Sequence, residues 1–555
     1  VRCFSLPNTD GRAGAQRHSE LVAPRDRCGA KWNATRLRFD DRIQREKKKM
    51  TVQFQMNSAF EGPVSEADSS VRLGPVKQLL NGNWVEAADG RTLAVESPAT
   101  RKTIGHTPRA SGEDVERAVA AAEEAFPSWK KVVASQRGKA LLRIADELEA
   151  RHEELARIIA HETGNALRTQ ARPEALTCVE VFRYFGGLGG ELKGDTLPLG
   201  DDILSYTRRE PLGVVGAIVP WNAPATLSSI KIAPAVCAGN TLVLKLAEDA
   251  PFAALFIAEI CNRHLPPGVL NVITGLGIEC GAALVSHPRI AKMSFTGSTA
   301  VGRSILANTA ERIIPVSLEL GGKSPAIVCD DADEEWAVQG IASAMRFTRQ
   351  SQSCTAGSRL FLHRKIYDKF LDKLVALIGS YKIGNPLDEA TDMGSLINAK
   401  QFNRVCGYID EGLKHKDVKL VAGGLPPKDG PLSEGYFTVP TLFASTSNDW
   451  RLAKEEIFGP VLVAIPWDDE AEVLKMANDS HYGLAGYVFS RNTSRAIRMA
   501  HEIDSGWVQV NQGKGQIMGQ PYGGFKQSGI GKEMSLGSML EGFSRSKTVT
   551  VNLTL

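Results

Sequence analysis

The stretch Gly213-Val-Val-Gly-Ala-Ile-Val-Pro-Trp-Asn-Ala-Pro224 opens a segment in which short apolar runs alternate with helical stretches as far as residue 319. Alternation of this kind is typical of βαβ units whose parallel sheet is covered by helices on both faces. Because ligands of such sheets bind beyond the carboxyl ends of the strands, residues that directly follow each run are candidate site residues. The segment predicts strands at Val214–Val219, Thr241–Lys245, Val269–Ile273, Lys292–Phe295 and Pro315–Leu318.

A second α/β segment begins after Gly321. Its apolar runs predict strands at Ala326–Cys329, Arg359–Leu362, Val461–Ile465 and Tyr487–Ser490. At the C-terminus Val549, Val551 and Leu553 alternate with polar residues, which indicates a half-buried strand that must pair with another. The stretch Leu204–Arg208 is its expected partner. A terminal strand that needs a partner suggests an oligomer.

Before residue 213 the signals are local and structural. Asn81-Gly-Asn-Trp84 predicts a hairpin turn, and Ser111-Gly-Glu-Asp114 resembles a capping box at the start of a helix. A second helical periodicity predicts one long helix from about Ser135 to Thr163.

Bulk composition limits the class of protein. The length of 555 residues suggests three or so folding units, and 43% hydrophobic with 23% charged residues is typical of a globular protein. Residues 1–49 carry 13 Lys and Arg against 6 Asp and Glu, a net charge of +7, while the other residues carry 53 against 57, a net charge of −4. The basic balance therefore comes from the leader, and the body gives no reason to expect nucleic acid.

The leader, residues 1–60, is excluded from the predicted fold. It is Arg-rich, which suits a disordered segment or a transit peptide, but its six acidic residues count against the second. We favour a third reading, in which the natural start is Met50 or Met56.

The nine cysteines are scattered and never form a CxxC pair, so we expect neither a disulfide framework nor a zinc site. This pattern favours a reducing, cytoplasmic compartment. Residues 211–230 carry no charge, but three prolines and several polar residues make a buried strand, loop and helix start more economical than a membrane span.

Three polar residues carry the chemistry. Cys354 lies among small polar residues, Ser351-Gln-Ser before it and Thr-Ala-Gly-Ser after it, which suits a turn or helix start whose N–H groups favour a thiolate. Glu319 offers a base, and the amide of Asn222 could hold an oxyanion. Taken singly, Cys354 reads as a small buried residue and Asn222 as a turn residue.

The longer motifs resemble those of the NAD(P)-dependent aldehyde dehydrogenase family. Gln352-x-Cys-x-Ala-Gly-x-Arg359 is similar to its cysteine signature, and Leu318-Glu-Leu-Gly-Gly-Lys-Ser-Pro325 to its glutamate signature. The resemblance covers roughly residues 75–555. It implies that Cys354 attacks an aldehyde, that hydride passes to NAD, and that Glu319 activates the water that hydrolyses the thioester. In the motif Pro220-Trp-Asn-x-Pro224, Asn222 would donate to the oxyanion.

The resemblance also implies the cofactor residues. The turn Phe295-Thr-Gly-Ser opens a helix and would bind the nucleotide, Lys245 and Glu248 would hold the adenosine ribose, and Glu456 and Phe458 the nicotinamide ribose. A carboxylate at position 248 favours NAD over NADP. The full predicted set is Pro220, Trp221, Lys245, Glu248, Gly277, Gly297, Ser298, Gly302, Leu320, Glu456 and Phe458, although the glycine spacing around Gly277 does not fit the usual dinucleotide fingerprint.

The cysteine loop departs from the family pattern. Where the family has Asn-x-Gly-Gln, this chain has Arg349-Gln-Ser351-Gln352, and Thr348 replaces a bulky aromatic residue. Arg349 and Lys514 could favour an aldehyde that carries a carboxylate, or they could simply face solvent or local acids. The predicted substrate pocket consists of Leu227, Thr348, Arg349, Ser353, Lys514 and Tyr522.

The expected fold is α/β and aldehyde dehydrogenase-like, with two parallel-sheet domains and a small bridging β-sheet for oligomerisation. Residues 61–192 and 213–321 would form the NAD-binding domain, residues 322–530 the catalytic domain, and residues 193–212 and 531–555 the bridging element of a homodimer or homotetramer. Two other functions stay open. Relatives that pass the acyl group to coenzyme A generally lack the base at position 319, and a non-enzymatic chain would be expected to lose one of the three chemical residues.

Overall fold

The computed structural model describes residue 71 and residues 73–554. The leader lies outside the described residues, as do Met50 and Met56. No helix in residues 73–554 combines the length and the apolar character that a bilayer crossing requires.

The strands in the described residues, in chain order, are β1 Gln78–Leu80, β2 Asn83–Val85, β3 Thr92–Glu96, β4 Thr103–Pro108, β5 Thr196–Pro198, β6 Ile203–Pro211, β7 Val214–Ile218, β8 Thr241–Lys245, β9 Leu270–Ile273, β10 Lys292–Thr296, β11 Val316–Glu319, β12 Pro325–Val328, β13 Arg359–His363, β14 Val418–Ala422, β15 Thr441–Ser445, β16 Val461–Trp467, β17 Tyr482–Gly483, β18 Ala485–Phe489, β19 Trp507–Val510, β20 Phe525–Lys526, β21 Gly529–Ile530 and β22 Ser544–Asn552.

The α-helices in the same part of the chain are α1 Gly112–Trp129, α2 Ala134–Ala150, α3 His152–Thr163, α4 Arg172–Gly187, α5 Pro224–Ala238, α6 Phe252–His264, α7 Ala282–Ser286, α8 Thr299–Ala310, α9 Glu334–Ala344, α10 Tyr367–Gly379, α11 Ala399–Lys414, α12 Arg451–Lys454, α13 Glu470–Asn478, α14 Thr493–Glu502 and α15 Leu536–Phe543.

The first large sheet has the strand order β2-β1-β9-β8-β7-β10-β11-β21. Its five central strands are parallel, whereas β1 and β21 run antiparallel to their inner neighbours. The central strands are buried almost throughout, as a parallel sheet with both faces covered requires. The five strands predicted between residues 213 and 319 are confirmed, with boundaries shifted by one residue at most.

The second large sheet has the order β14-β15-β16-β13-β12-β18-β19 and is parallel except for the β14–β15 pair. It contains all four strands predicted after Gly321. The fold class is therefore α/β with two mainly parallel sheets, as expected. The described residues fall within one compact unit, so the division into separate domains stays a prediction.

A third sheet, β22-β6-β5, joins the C-terminus to residues 196–211. Val549 pairs with Tyr206 and Val551 with Leu204, so the predicted partner strand is confirmed. The expected half-burial is wrong for the single chain: most of β22 is exposed, and Val551 and Leu553 keep 39% and 55% of their surface. Pairing with β6 satisfies one edge of this strand, and of its two valines Val549 is partly buried whereas Val551 is exposed.

Local signals before residue 213 are confirmed with one exception. Asn81 and Gly82 have φ of 49° and 78° between β1 and β2, and Ser111 forms the capping box of α1. The long helix predicted from Ser135 to Thr163 is wrong, because Arg151 leaves the helical conformation and separates α2 from α3. The Arg151 guanidinium lies 4.2 Å from the centre of the Phe256 ring, a contact that sequence periodicity cannot reveal.

Candidate active site

One cavity of about 1360 Å³ contains Cys354, Glu319 and Asn222 in its wall. Asn222 follows β7, Glu319 is the last residue of β11, and Cys354 lies in a turn before β13. The carboxyl ends of β7 and β11 thus bring Asn222 and Glu319 together, and the turn before β13 adds Cys354. Cofactor residues predicted from the sequence that also line the cavity are Pro220, Trp221, Lys245, Glu248, Gly277, Gly297, Ser298, Leu320, Glu456 and Phe458.

The thiol of Cys354 lies 3.3 Å from the hydroxyl of Tyr522. Burial raises the pKa of the Cys354 thiol to about 11, the Tyr522 hydroxyl lowers it, and the carboxylates of Glu319 and Glu456 raise it further. The expectation of a favoured thiolate is therefore wrong for the protein alone. Cys354 sits in a turn and not at a helix start, so a helix dipole adds nothing to offset the burial.

Glu319 is buried, and neither carboxylate oxygen has a hydrogen-bond partner among the described residues. Burial raises the pKa of Glu319 well above its ordinary value, and the nearby Glu533 carboxylate raises it further. The ammonium groups of Lys231 and Lys532 act in the opposite direction. Lys231 itself forms a buried ion pair with Glu533. An unpartnered buried carboxyl at a cavity wall can, once ionised, accept a proton from a molecule that enters the cavity.

Asn222 is tied to the loop that carries the nucleophile. Its side-chain Nδ2 donates to the backbone oxygen of Gln352 at 3.0 Å, two residues before Cys354. One amide hydrogen is thereby used, and an amide nitrogen carries a second that can point into the cavity. The structure therefore brings the predicted oxyanion donor next to the cysteine loop.

The other end of the cavity carries groups of a different chemistry. Lys245 and Glu248 form an ion pair of 2.9 Å between Nζ and Oε2, and Ser298 caps the N-terminus of α8. The rings of Trp221 and Phe458 lie edge to face, with centres 5.4 Å apart. These donors, acceptors and aromatic faces suit a ligand that combines hydroxyl, phosphate and flat ring groups.

Glu456 lies between this end and the cysteine loop. Its Oε1 accepts from the backbone N–H of Gly322 at 3.0 Å, and burial raises the pKa of Glu456 to about 7. Gly321 leaves room for the Glu456 carboxylate, and Gly322 leaves room for the backbone of Cys354. A Cβ at Gly321 would lie 2.3 Å from Glu456 Oε2, and one at Gly322 would lie 2.3 Å from the carbonyl oxygen of Cys354.

Three predicted residues lie outside the cavity lining. Gly302 packs α8 against Leu320, where a Cβ would lie 2.6 Å from a Leu320 methyl carbon. The Thr348 hydroxyl accepts from Gln170 Nε2 at 2.7 Å. Lys514 is exposed, and its carbonyl accepts from Arg346. Leu227, Arg349, Ser353 and Tyr522 do line the cavity.

Arg349 does not present an unpaired charge. Its Nη2 lies 3.3 Å from Glu174 Oε2, and its Nε donates to Gln170 Oε1 at 3.0 Å. Sequence reasoning missed Glu174, Gln170 and Arg346, all of which line the cavity. Glu174 lies 175 positions from Arg349, so no local signal could have indicated the pair.

A thiol and an unpartnered carboxyl in one deep cavity of an α/β protein are typical of an enzyme that works through a covalent intermediate. The aldehyde dehydrogenase family model matches residues 84–549. The chain belongs to the aldehyde dehydrogenase family and is therefore an oxidoreductase.

Solved structures agree with this assignment. A protein from Burkholderia cenocepacia has a TM-score of 0.85 and 40% identity, over 87% of this chain and 98% of its own. An aldehyde dehydrogenase from Bacillus cereus, solved as an NAD+ complex, has a TM-score of 0.83 and 39% identity, over 86% and 97%. A betaine aldehyde dehydrogenase from Staphylococcus aureus, solved with NAD+, has a TM-score of 0.84 and 35% identity, over 86% and 95%.

Proposed function

We propose that this enzyme oxidises an aldehyde to a carboxylic acid with NAD, through a thioester on Cys354 that water hydrolyses. The observation that carries this proposal is the shared cavity. It holds the Cys354 thiol, the unpartnered Glu319 carboxyl and, at its other end, the Lys245–Glu248 pair.

Acylation begins at Cys354. Cys354 loses its proton to water, and its sulfur adds to the aldehyde carbon to form a thiohemiacetal. The second amide hydrogen of Asn222 donates to the oxygen that becomes negative. The Tyr522 hydroxyl supports the thiolate by hydrogen bonding. Collapse of the thiohemiacetal would pass the hydride of the former aldehyde carbon to bound NAD as the two-electron acceptor and would leave the thioester.

The far end of the cavity fits NAD by its donor set. Lys245 and Glu248 would hold ribose hydroxyls, the start of α8 at Ser298 would face phosphate, and Glu456 would hold the second ribose. When bound, NAD supplies the hydride acceptor. The Glu248 carboxylate accepts from a 2′-hydroxyl and repels a 2′-phosphate, so we propose a preference for NAD over NADP.

Glu319 acts as the base in deacylation. Burial and the Glu533 carboxylate raise the pKa of Glu319 above its ordinary value, so its ionised form is a stronger proton acceptor than an exposed glutamate. Glu319 becomes a base as pH rises, and it then takes a proton from the water that attacks the thioester. Hydrolysis should therefore speed up as pH rises through the raised pKa of Glu319.

The test is NADH formation from aldehydes without coenzyme A. Wild type should turn over continuously, and Cys354→Ala should be inactive. Glu319→Gln should release about one NADH per active site in a burst and then stall, because acylation needs no base at this position whereas hydrolysis does. Turnover that starts only when coenzyme A is added would contradict hydrolysis and support acyl transfer.

A carboxylated aldehyde is the second candidate substrate, and the contacts favour it less. Arg349 is paired with Glu174, and Lys514 lies outside the cavity lining. We propose an uncharged aldehyde. The test compares kcat/KM for matched aldehydes with and without a terminal carboxylate. A higher kcat/KM for the carboxylated series would overturn the proposal of an uncharged substrate.

We also propose that the enzyme is a homo-oligomer and that it is located in the cytoplasm. The seven cysteines in the described residues are all free, which agrees with a reducing compartment. The exposed third sheet offers the surface through which copies would associate.

A further inference from the structure

Arg349 joins the cysteine loop, defined as residues 346–355, to the segment that carries Asn222. Its Nη1 donates to the backbone oxygen of Asn222 at 3.4 Å, and its Nη2 lies 3.3 Å from Glu174 Oε2. Its Nε donates to Gln170 Oε1 at 3.0 Å, in the π-helical turn Leu167–Ala171. A planar guanidinium can hold three partners at once in a fixed geometry, which a lysine cannot.

Glu174 anchors the other side of this connection. Its side chain is fully buried, and Oε1 accepts from the backbone N–H groups of Ala225 at 3.2 Å and Thr226 at 3.4 Å. These groups lie in the first turn of α5, which begins two residues after Asn222. The carboxylate thus holds the start of α5 with one oxygen and Arg349 with the other.

Asn222 is consequently held at two points by the same loop. Its side-chain nitrogen donates to Gln352, and its backbone oxygen accepts from Arg349. Together these bonds fix both the main chain and the amide of the residue that we assign to the oxyanion. The loop itself is constrained, since Arg346, Gln350 and Ser351 have φ of 58°, 50° and 52°.

We propose that Arg349 is a positioning residue for the oxyanion amide, and that the Glu174–Arg349 pair sets where Asn222 lies relative to Cys354. The proposal rests on the proposed function of Asn222. The pair also explains why an arginine at the cavity wall need not recruit an anionic substrate, because the Glu174 carboxylate compensates its charge.

A mutant cycle tests this proposal. Arg349→Gln and Glu174→Gln are each made in wild type and in Asn222→Ala, and the single-turnover rate of NADH formation is measured on the folded fraction from gel filtration. Glutamine at position 174 keeps one acceptor oxygen for α5 but replaces the oxygen that accepts from Arg349 by an NH2 group, so the charge and this hydrogen bond are lost together. In wild type each change should lower the rate by about 10-fold to 10²-fold, as expected for a small displacement of a reacting group.

In the Asn222→Ala background the same changes should alter the rate by no more than about twofold, because residues that act through one group are not additive. KM for NAD should stay constant in all variants. Arg349→Lys keeps a positive charge beside Glu174, but a lysine cannot bind all three partners of Arg349 at once. Compared with Arg349→Gln, it should therefore restore thermal stability but not the single-turnover rate.

Arg183→Gln is the matched control. Arg183 pairs with Glu149 at 3.0 Å, lies on the same helix as Glu174, and is 43% exposed. It should leave the single-turnover rate unchanged. Equal losses from Arg349→Gln with and without Asn222 would overturn the proposal, and so would a normal rate in Arg349→Gln. Near-normal turnover in Asn222→Ala would instead overturn the proposed oxyanion role.

Discussion

At the scale of single residues, the amide of Asn222 is the sharpest test of the proposed chemistry. Asn222→Ala removes one oxyanion donor and leaves the thiol and the carboxyl in place. Loss of one such donor typically lowers turnover by about 10²–10³-fold, and we expect that loss in kcat for NADH formation. Iodoacetamide should still modify Cys354 at a similar rate, which would separate lost oxyanion binding from a displaced thiol. Turnover within a few-fold of wild type would contradict the assignment.

The pH dependence of Cys354 follows from its burial. Because burial raises the pKa of this thiol to about 11, the thiolate is the minor form at neutral pH and its fraction grows tenfold per pH unit as pH rises toward that value. In the enzyme without NAD, iodoacetamide modification should therefore accelerate through pH 7 to 10 without a plateau. Tyr522→Phe removes a hydrogen bond that lowers this pKa, so it should slow modification at each pH. A plateau near pH 8 in wild type would contradict the raised pKa.

The single residues divide into those that the sequence could predict and those it could not. Cys354, Glu319 and Asn222 lie in motifs whose residue types already suggest their chemistry. Glu174 lies in no such motif, and its role depends on Arg349, a partner 175 positions away in the chain. The raised pKa of Cys354 was missed for the same reason, since the surroundings that desolvate the thiol come from distant segments.

At the scale of elements, the turn between β11 and β12 controls how closely the cysteine loop approaches Glu456. Gly322 donates to Glu456, and a Cβ at this position would lie 2.3 Å from the carbonyl oxygen of Cys354. Gly322→Ala must therefore displace the loop, because the clashing atom belongs to the backbone. We expect activity to fall by more than about 10²-fold, as for other displacements at a reacting centre.

Gly407→Ala provides the comparison for that variant. Gly407 lies inside helix α11, is exposed, and has nothing within 4 Å of the position of an added Cβ. Alanine there should leave turnover unchanged and stabilise the protein by about 0.5–1 kcal/mol through its helix propensity. Both variants are followed by NADH formation and thermal unfolding. Equal activity in the two variants would show that the approach of the loop at Gly322 is not critical.

The strands of the two large sheets were predicted well from the sequence. The apolar runs of the two parallel sheets are buried on both faces, so composition alone marks them. The break between α2 and α3 was missed because apolar periodicity continues across Arg151, whose side chain contacts the ring of the distant Phe256. Exposure of β22 was missed because alternation predicts two different faces and does not indicate what covers them.

At the scale of the whole molecule, the third sheet predicts association of copies. Leu204 and Val551 are neighbours across β6 and β22, and they keep 40% and 39% of their surface exposed. Adjacent apolar side chains on an exposed sheet, next to an unpaired strand edge, are a surface that proteins usually cover. We therefore expect wild type to sediment as a multiple of the 60.0 kDa chain.

Leu204→Lys combined with Val551→Lys should shift that species toward the single chain, because two like charges would then face the partner surface. Ile497→Lys is the control, since Ile497 is 44% exposed on helix α14, outside the third sheet. Sedimentation velocity at several protein concentrations measures the masses, and NADH formation shows whether the separated chain keeps its site. A wild type that sediments at the mass of one chain would contradict the association. Dissociation by the control alone would place the interface elsewhere on the molecule.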